Sequence, residues 1–342
     1  MRTPTVCSEY LVDLLQYIEN RGVDASALIA AVGFTPEQHL TVDGRFPLRL
    51  FEVLLDVASV MLDDPFLGAH AGADSSPSAW GMVSYLGMSA PNSRAAFDAV
   101  AQFSRLLIDH GDVMYREHGS DLTQLIWVVP ERKPVSRQLA EFFFTSWYRA
   151  NKAILDRWCN QREVSFSHDG PTDRSEIERI LEAPVKYNCD ANFVEFDSHF
   201  LDRPTRFPHT GIYNSLVQTA RAELAKLQME DRIVKDVIAC VVRQLPDGVP
   251  KLDDVAAELG LAPRTLQRRL NNTDTNFKLL VDDARKQRSK QLVGDGEMAL
   301  LDISAELGFS DQSSFQKAFK RWFGLAPGRY RMSQQLSNNS SS

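Results

Sequence analysis

A short motif that occurs twice near the C-terminal end is the strongest constraint on how this chain folds. Val255-Ala-Ala-Glu-Leu-Gly260 returns 48 residues later as Ile303-Ser-Ala-Glu-Leu-Gly308. Each copy precedes a turn and a segment with apolar residues four positions apart, which lie on one face of a helix. These pairs are Leu266/Leu270 and Phe315/Phe319. The repeat therefore predicts two helix-turn-helix units.

The residues at each turn suit a sharp change of direction between two helices. Gly260 and Gly308 allow the positive φ that such a turn requires. The residue four positions before each glycine is small, so the two helices can approach closely. Pro263 suits the first position of the helix after the first turn, and Ser310 is expected to cap the corresponding helix of the second unit. A helix held in this way can enter the major groove of DNA.

The second helix of each unit has a polar face opposite its apolar face. Arginine suits guanine N7 and O6, and glutamine or asparagine suits adenine N6 and N7. Basic residues at other positions of these helices suit phosphates. We predict that bases are read by Arg264, Gln267, Arg268, Asn271, Gln312, Ser313, Gln316 and Lys317. We predict that phosphates are bound by Arg269, Lys320 and Arg321.

Charge is distributed unevenly along the chain. The net charge of the 342 residues is −7, which argues against a protein that coats nucleic acid with its whole surface. Residues 251–342 nevertheless contain 14 Lys and Arg against 11 Asp and Glu, a net charge of +3, whereas residues 1–250 have a net charge of −10. Only the C-terminal part is suited to phosphate. The two parts are expected to have different partners, with double-stranded DNA bound by the second.

The sequence contains no sign of a membrane or secreted protein. No run approaches eighteen apolar residues, and no apolar segment with a cleavage site opens the chain. Cys7, Cys159, Cys189 and Cys240 lie far apart without a C-x-x-C pair, which is typical of reduced thiols rather than of disulfides or zinc. We therefore expect a cytoplasmic protein with no metal or cofactor.

Residues 231–331 resemble the DNA-binding domain of the AraC/XylS transcription regulators. The resemblance is carried by residues 302–324, which contain the second copy of the repeat, and by Pro327-Gly-Arg-Tyr-Arg331. It implies seven helices, with a long helix over about Phe277–Val293 joining the two units and Arg285 at a typical basic position. It also places base contacts at seven of the predicted positions, all except Asn271. The DNA-binding domain is predicted to be all-α and to span residues 230–332.

The N-terminal half has mixed α and β patterns. Helical spacing recurs in the first 110 residues, residues 68–77 are rich in Gly, Ala, Ser and Pro and predict a connector, and Asn92 or Ser93 can cap a helix to about Leu107. Strands are predicted at 122–129, 164–167 and 193–197, with a long aromatic helix at 135–158 and another near 175–181. The fold class is therefore an α+β sensor domain followed by an all-α domain.

The N-terminal two hundred residues are similar to the arabinose-binding-type sensor domain of ornithine-responsive and virulence-associated regulators. The matching segments include Asp64-Pro-Phe-Leu-Gly68, Trp80-Gly-Met-Val-Ser-Tyr85 and Val164-Ser-Phe-Ser-His168. The resemblance implies a regulator that acts as a homodimer, responds to a small-molecule effector, contacts RNA polymerase and acts as an activator. We expect a sensor domain at 1–205, a linker helix at 206–229, and a disordered tail at 333–342.

Several alternatives remain open at this stage. The N-terminal domain either binds an effector or only dimerises. The aromatic residues of 142–148 and Trp158 either form core or line a ligand pocket, and helical spacing favours core. His168-Asp169 is not accompanied by a nucleophile motif, so a hydrogen-bonded histidine at a strand end is expected. An alkyl-transfer DNA-repair enzyme would need a four-cysteine zinc site that this chain lacks, so no enzyme is predicted.

Overall fold

The computed structural model describes residues 4–33, 45–130, 134–155, 161–271, 273, 275–296 and 298–339. The chain divides into two compact units, an N-terminal unit that ends at Leu224 and a C-terminal unit that begins at Ala225. None of the helices in the described ranges combines the length and apolarity that a membrane crossing requires.

The N-terminal unit has an α+β fold, as predicted. Its elements in chain order are β1 (Thr5–Cys7), α1 (Ser8–Glu19), α2 (Ala25–Ala31), β2 (Arg45–Pro47), α3 (Leu48–Met61), α4 (Leu67–Asp74), α5 (Gly81–Ser89), α6 (Ser93–Leu107), β3 (Asp112–His118), β4 (Leu122–Val128), α7 (Arg137–Ile154), β5 (Gln161–Ser165), α8 (Ser175–Leu181), β6 (Val185–Lys186) and β7 (Asn192–Asp197). Asn92 caps α6 by accepting a hydrogen bond from the backbone of Ala95, which confirms the predicted start of that helix.

A five-stranded sheet with the order β3-β4-β7-β5-β6 is the centre of this unit. The β5–β6 pair is parallel, and the other pairs are antiparallel. β1 and β2 form a separate antiparallel pair. Strand β7 alternates buried and half-buried residues, with Val194 and Phe196 fully buried. This alternation is typical of a strand that presents one face to the core.

Helix α7 is the core helix of the N-terminal unit. Its aromatic residues Phe142, Phe143, Phe144, Trp147 and Tyr148 are all at most 4% exposed. The prediction that this aromatic run forms core is therefore confirmed for these residues. Trp158, like Cys159, lies outside the described residues.

The prediction of a connector at residues 68–77 is wrong, because most of this segment is helix α4. Gly68 and Gly72 lie one turn apart where α4 packs against α7. A Cβ atom at Gly68 would lie 2.1 Å from the carbonyl oxygen of Gln138, and one at Gly72 would lie 2.4 Å from that of Phe142. The small residues permit two backbones to touch, so they serve close helix packing rather than a loop.

Helix α9 (Thr210–Gln244) begins four residues after the start of the linker helix predicted at 206–229 and continues fifteen residues beyond its end. The remaining elements are α10 (Leu252–Glu258), α11 (Pro263–Asn271), α12 (Phe277–Asp295), α13 (Leu300–Glu306), α14 (Gln312–Phe323) and α15 (Pro327–Asn339). The C-terminal unit is all-α, and α12 is the long helix between the two repeats, as predicted. The prediction of a disordered tail at 333–342 is wrong for residues 333–339, which continue helix α15.

A second apolar core holds the C-terminal unit together. It contains buried residues from the end of α9, such as Val237 and Val241, together with Leu266, Phe315 and Phe319 from the two repeats. Burial of these side chains supplies most of the stability of such short helices, which are marginal when isolated.

Candidate nucleic-acid interface

The first repeat forms a helix-turn-helix from α10 and α11. Ala256 on α10 is fully buried, and Gly260 adopts φ +66° at the turn. Helix α11 begins at Pro263, and its apolar residues Leu266 and Leu270 are buried. These four features are as predicted, and together they leave the opposite face of α11 toward solvent.

The second repeat forms the same arrangement from α13 and α14. Ser304 is 2% exposed, Gly308 has φ +65°, and Phe315 and Phe319 are fully buried. Tyr330, in the Pro327–Arg331 motif, packs edge-on against the Phe319 ring at 5.5 Å between centroids.

The predicted capping residue of α14 is wrong by one position. The N-cap is Asp311, whose Oδ1 accepts a hydrogen bond of 2.8 Å from the backbone N–H of Ser314. Ser310 instead donates its hydroxyl to Asp311 Oδ2 at 3.0 Å. Hydrogen bonds to the carboxylate, above all from the Ser314 backbone, hold the pKa of Asp311 below its usual range. A carboxylate also interacts favourably with the helix dipole at this end, so it is the stronger cap.

The side chains predicted to contact DNA lie almost entirely in solvent. Gln312 is half-buried at the first position of α14. The exposed residues are Arg264, Gln267, Arg268, Arg269 and Asn271 on α11, and Ser313, Gln316, Lys317, Lys320 and Arg321 on α14. Each helix thus has its apolar residues in the core and its basic and amide residues on the surface.

Most of the basic side chains on these helices are free to bind another molecule. In the part of the chain that the structure describes, Arg264, Arg268 and Lys317 make no hydrogen bond or ion pair. Arg321 differs, because its Nη2 is 2.8 Å from Asp282 Oδ1 on α12. The same carboxylate accepts a hydrogen bond of 2.9 Å from Trp322 Nε1. A phosphate contact by Arg321 would have to compete with this ion pair.

Arg285 attaches the second helix-turn-helix to α12, a role that the sequence alone did not indicate. Its Nε donates to the carbonyl oxygen of Leu307 at 2.9 Å, and its Nη2 donates to that of Gly308. Its guanidinium lies over the Phe309 ring, 4.2 Å from the centroid. The two carbonyls belong to the end of α13 and the turn, where helix carbonyls lack intrahelical partners. Arg285 therefore positions the turn that leads into α14.

The first helix-turn-helix is attached to helix α9 by side-chain hydrogen bonds at the surface. Arg243 and Gln244, at the end of α9, both donate hydrogen bonds to the carboxylate of Glu258 at the end of α10. The Arg243 guanidinium holds the pKa of Glu258 below its usual range. All three side chains meet at the surface, so this contact contributes less than the half-buried one made by Arg285.

Replacement of each turn glycine by alanine is expected to reduce the stability of the C-terminal unit to a different extent. Both need a positive φ, which costs alanine roughly 1–2 kcal/mol. A Cβ at Gly260 would meet no atom of the described residues within 4 Å, whereas one at Gly308 would lie 3.0 Å from the carbonyl oxygen of Leu245. We expect Gly308→Ala to destabilise the C-terminal unit more than Gly260→Ala, by about 1 kcal/mol more. Urea denaturation of the two variants measures the difference, and equal losses would contradict this account of the turn.

The geometry described so far defines the class of helix-turn-helix DNA-binding proteins. The two helix-turn-helix units have solvent-exposed arginine, glutamine and lysine on α11 and α14, and the opposite faces of these helices pack in an apolar core.

Comparison with known proteins identifies the family. The model for the arabinose-binding domain of AraC transcription regulators matches residues 22–205, and a helix-turn-helix domain model matches residues 255–333. The chain belongs to the AraC family of transcription regulators.

Some relatives match nearly the whole chain, and others match about half of it. The ornithine utilization regulator of Pseudomonas aeruginosa is 24% identical over 329 residues, which is 96% of each chain. The transcriptional regulator VqsM of the same organism is 29% identical over 162 residues, 47% of this chain and 50% of VqsM. Among solved structures, the transcriptional regulator CdpR from Pseudomonas aeruginosa is 20% identical with a TM-score of 0.45, covering 90% of this chain and 96% of that one. Regulators of this family are not enzymes.

Proposed function

We propose that this regulator reads two successive major-groove segments of its operator, one with α11 and one with α14. The observation that carries the proposal is the exposed set of basic and amide side chains on both helices, with Arg264, Arg268 and Lys317 uncommitted to any partner within the described residues. Side chains of these types provide direct base readout. Two helices of one chain that read the same face of DNA do so about one helical turn, roughly 10 bp, apart. Lys320 and Arg269 bind the flanking phosphates.

Arg268 and its neighbour Arg269 offer a matched test of base reading against phosphate binding. We expect Arg268→Ala to weaken binding by about 1–3 kcal/mol on the preferred duplex and to reduce discrimination at one base pair. Arg269→Ala should weaken binding to all duplexes alike and lower the slope of log K against log salt by about 1. Fluorescence anisotropy on a panel of single-base operator variants measures both. An unchanged ranking of the panel by Arg268→Ala would contradict its role as a base reader.

We further propose that the N-terminal unit binds a small-molecule effector and that the regulator binds DNA as a homodimer on paired sites. The match of residues 22–205 to a sensor-domain family supports the effector, and so does a relative named for ornithine utilization. In this proposal the chain acts in the cytoplasm as an activator that contacts RNA polymerase. Mass photometry of the chain with DNA that has one site or paired sites tests the dimer. Two chains should bind the duplex with paired sites cooperatively.

A second candidate is an N-terminal unit that only dimerises. The observation in its favour is that one apolar cavity among the described residues, between α5, α6 and α7, has a volume of only about 10 Å³; its lining includes Trp80, Phe97 and Trp147. That volume is comparable to a single water molecule, so no effector fits there without rearrangement. A compound that changes DNA affinity of the full chain would exclude this candidate.

A further inference from the structure

One cluster of the N-terminal unit contains three buried polar atoms that have no hydrogen-bond partner among the described residues. They are Glu141 Oε2, Arg137 Nη2 and His168 Nε2. Arg137 and Glu141 lie one turn apart on α7, with Arg137 Nε 2.8 Å from Glu141 Oε1. Tyr187 donates its hydroxyl to the same Glu141 oxygen at 3.1 Å, and its ring centroid is 5.4 Å from that of His168. Tyr187 therefore brings the three side chains together.

The hydrogen-bonding character of the three atoms follows from their other contacts. His168 Nδ1 is 2.9 Å from the carbonyl oxygen of Asp169, which can only accept, so Nδ1 carries the proton. Burial lowers the pKa of His168 and keeps the ring neutral, so its Nε2 is an acceptor. Glu141 is fully buried, and burial raises its pKa, whereas Arg137 and Tyr187 stabilise the carboxylate and act against this shift. In the carboxylate form its free oxygen is a second acceptor. Arg137 Nη2 is a cationic donor. The expectation of a fully hydrogen-bonded histidine at position 168 is thus met at only one ring nitrogen.

A nearby histidine shows how polar groups of this unit are ordinarily satisfied. His70 Nδ1 is 2.7 Å from Asp64 Oδ2, and His70 Nε2 is 2.7 Å from Glu176 Oε1. Both ring nitrogens are used, so His70 does not compete for the three free atoms. Buried polar groups in proteins are rarely left unpaired, and the exceptions call for an explanation.

We propose that Glu141, Arg137 and His168 bind the head group of a free α-amino acid. Its ammonium would donate to Glu141 Oε2 and His168 Nε2, and its carboxylate would accept from Arg137 Nη2. A zwitterion adds no net charge to the Arg137–Glu141 pair, whereas a simple amine or a simple carboxylic acid leaves at least one atom unpaired. The proposal rests on the proposed function, because it supplies the effector class for the sensor unit.

Side chains around the cluster are partly open to solvent. The side chain of Arg137 is 26% exposed, and its guanidinium lies 5.0 Å from the centroid of the half-buried Phe66 ring. Tyr187 is half-buried as well. In this proposal a ligand reaches the three buried atoms by rotation of these partly exposed side chains.

A thermal-shift assay of the full-length chain tests the ligand class. The probes are the twenty standard L-amino acids, each compared with its decarboxylated amine and its deaminated acid. At least one amino acid should raise the melting temperature, and its amine and acid counterparts should not. If no amino acid raises the melting temperature, or if an amine or acid does so equally, the proposal is overturned.

Isothermal titration calorimetry tests the site by measuring the Kd of each variant for the amino acid that the thermal-shift assay identifies. Glu141→Gln should raise the Kd at least tenfold, because the amide offers the ligand's ammonium no negatively charged acceptor. The control is Glu117→Gln, an exposed carboxylate paired with Arg94, which should keep the wild-type Kd. A wild-type Kd in Glu141→Gln would overturn the site. If this variant does not fold, Arg137→Lys takes its place with the same expectation for the Kd.

DNA binding of the unliganded variants separates this proposal from the proposed function. Glu141→Gln and wild type should bind a selected duplex equally in the absence of amino acid. Loss of ligand binding with retained DNA binding supports the site. If the chain binds the amino acid but binds no DNA, the proposed site is supported and the proposed function is contradicted.

Discussion

Replacing Arg285 by methionine is expected to remove the contribution of the second helix-turn-helix to DNA binding. The substitution keeps a long side chain but deletes two hydrogen bonds to the carbonyls of Leu307 and Gly308 and the cation–π contact with Phe309. Hydrogen bonds from a charged group contribute about 1.5–3 kcal/mol each, and a cation–π contact about 0.5–2 kcal/mol. If about 3 kcal/mol is lost in holding α14 against α12, operator affinity falls roughly 100-fold.

A double-mutant cycle shows whether Arg285 acts through the reading helix. Gln316→Ala should weaken binding in the wild-type background and have little further effect in Arg285→Met, because the second helix is already misplaced. Arg288→Met is the matched control on the same helix, since the contacts of Arg288 within the described residues are long, an ion pair of 3.7 Å with Glu306 and a hydrogen bond of 3.5 Å to Gln291. Additive losses for Arg285→Met and Gln316→Ala would mean that Arg285 contributes to stability without positioning α14.

Gly72→Ala is expected to destabilise the N-terminal unit by about 3 kcal/mol, at the upper end of overpacking effects. The new methyl carbon would lie 2.2 Å from Thr145 Oγ1 and 2.4 Å from the carbonyl oxygen of Phe142, and the backbone of a core helix cannot give way. Alanine's better helix propensity offsets only about 1 kcal/mol. Urea denaturation followed by tryptophan fluorescence measures the loss, because Trp80, Trp127 and Trp147 are all buried in this unit.

Gly87→Ala is the control for this prediction. It also lies in a helix, α5, but its added methyl would approach only the side-chain terminus of Ile154, at 3.0 Å from Cδ1. A flexible methyl group can shift, so this variant should be within about 1 kcal/mol of wild type. Equal losses of stability in Gly72→Ala and Gly87→Ala would show that the packing of α4 against α7 does not depend on backbone contact.

The parts of the fold that could be predicted are those with local signals. The repeat, the turn glycines and the apolar pairs identified both helix-turn-helix units, because each depends on residues within a few positions of one another. The prediction of a connector in place of helix α4 is wrong because the glycine, serine and proline of residues 68–77 are typical of loops. The actual role of Gly68 and Gly72, backbone contact with α7, depends on residues about seventy positions away. Strand β3 was missed because most of its side chains are exposed and polar, which hides the alternation of a half-buried strand.

The candidate DNA face was predictable for a similar reason, since helical periodicity separates Arg268 from Leu266 without knowledge of the tertiary structure. The contacts that position this face were not. Arg285 reaches carbonyls 22 and 23 residues away, and Asp282 pairs with Arg321 across 39. Nor does any spacing in the sequence relate His168 to Glu141. Interactions of this kind depend on how helices and strands pack, and the residue pattern of one sequence does not reveal that packing.

Selection of binding sites from random-sequence DNA is the most direct test of the central claim, that α11 and α14 each read their own segment. The wild-type chain should select two short motifs with centres about one helical turn, roughly 10 bp, apart. Arg268→Ala should lose preference only within one motif, and Gln316→Ala only within the other. If both variants relaxed the same positions, or if neither changed the selected sequences, the two helices would not be independent readers of bases.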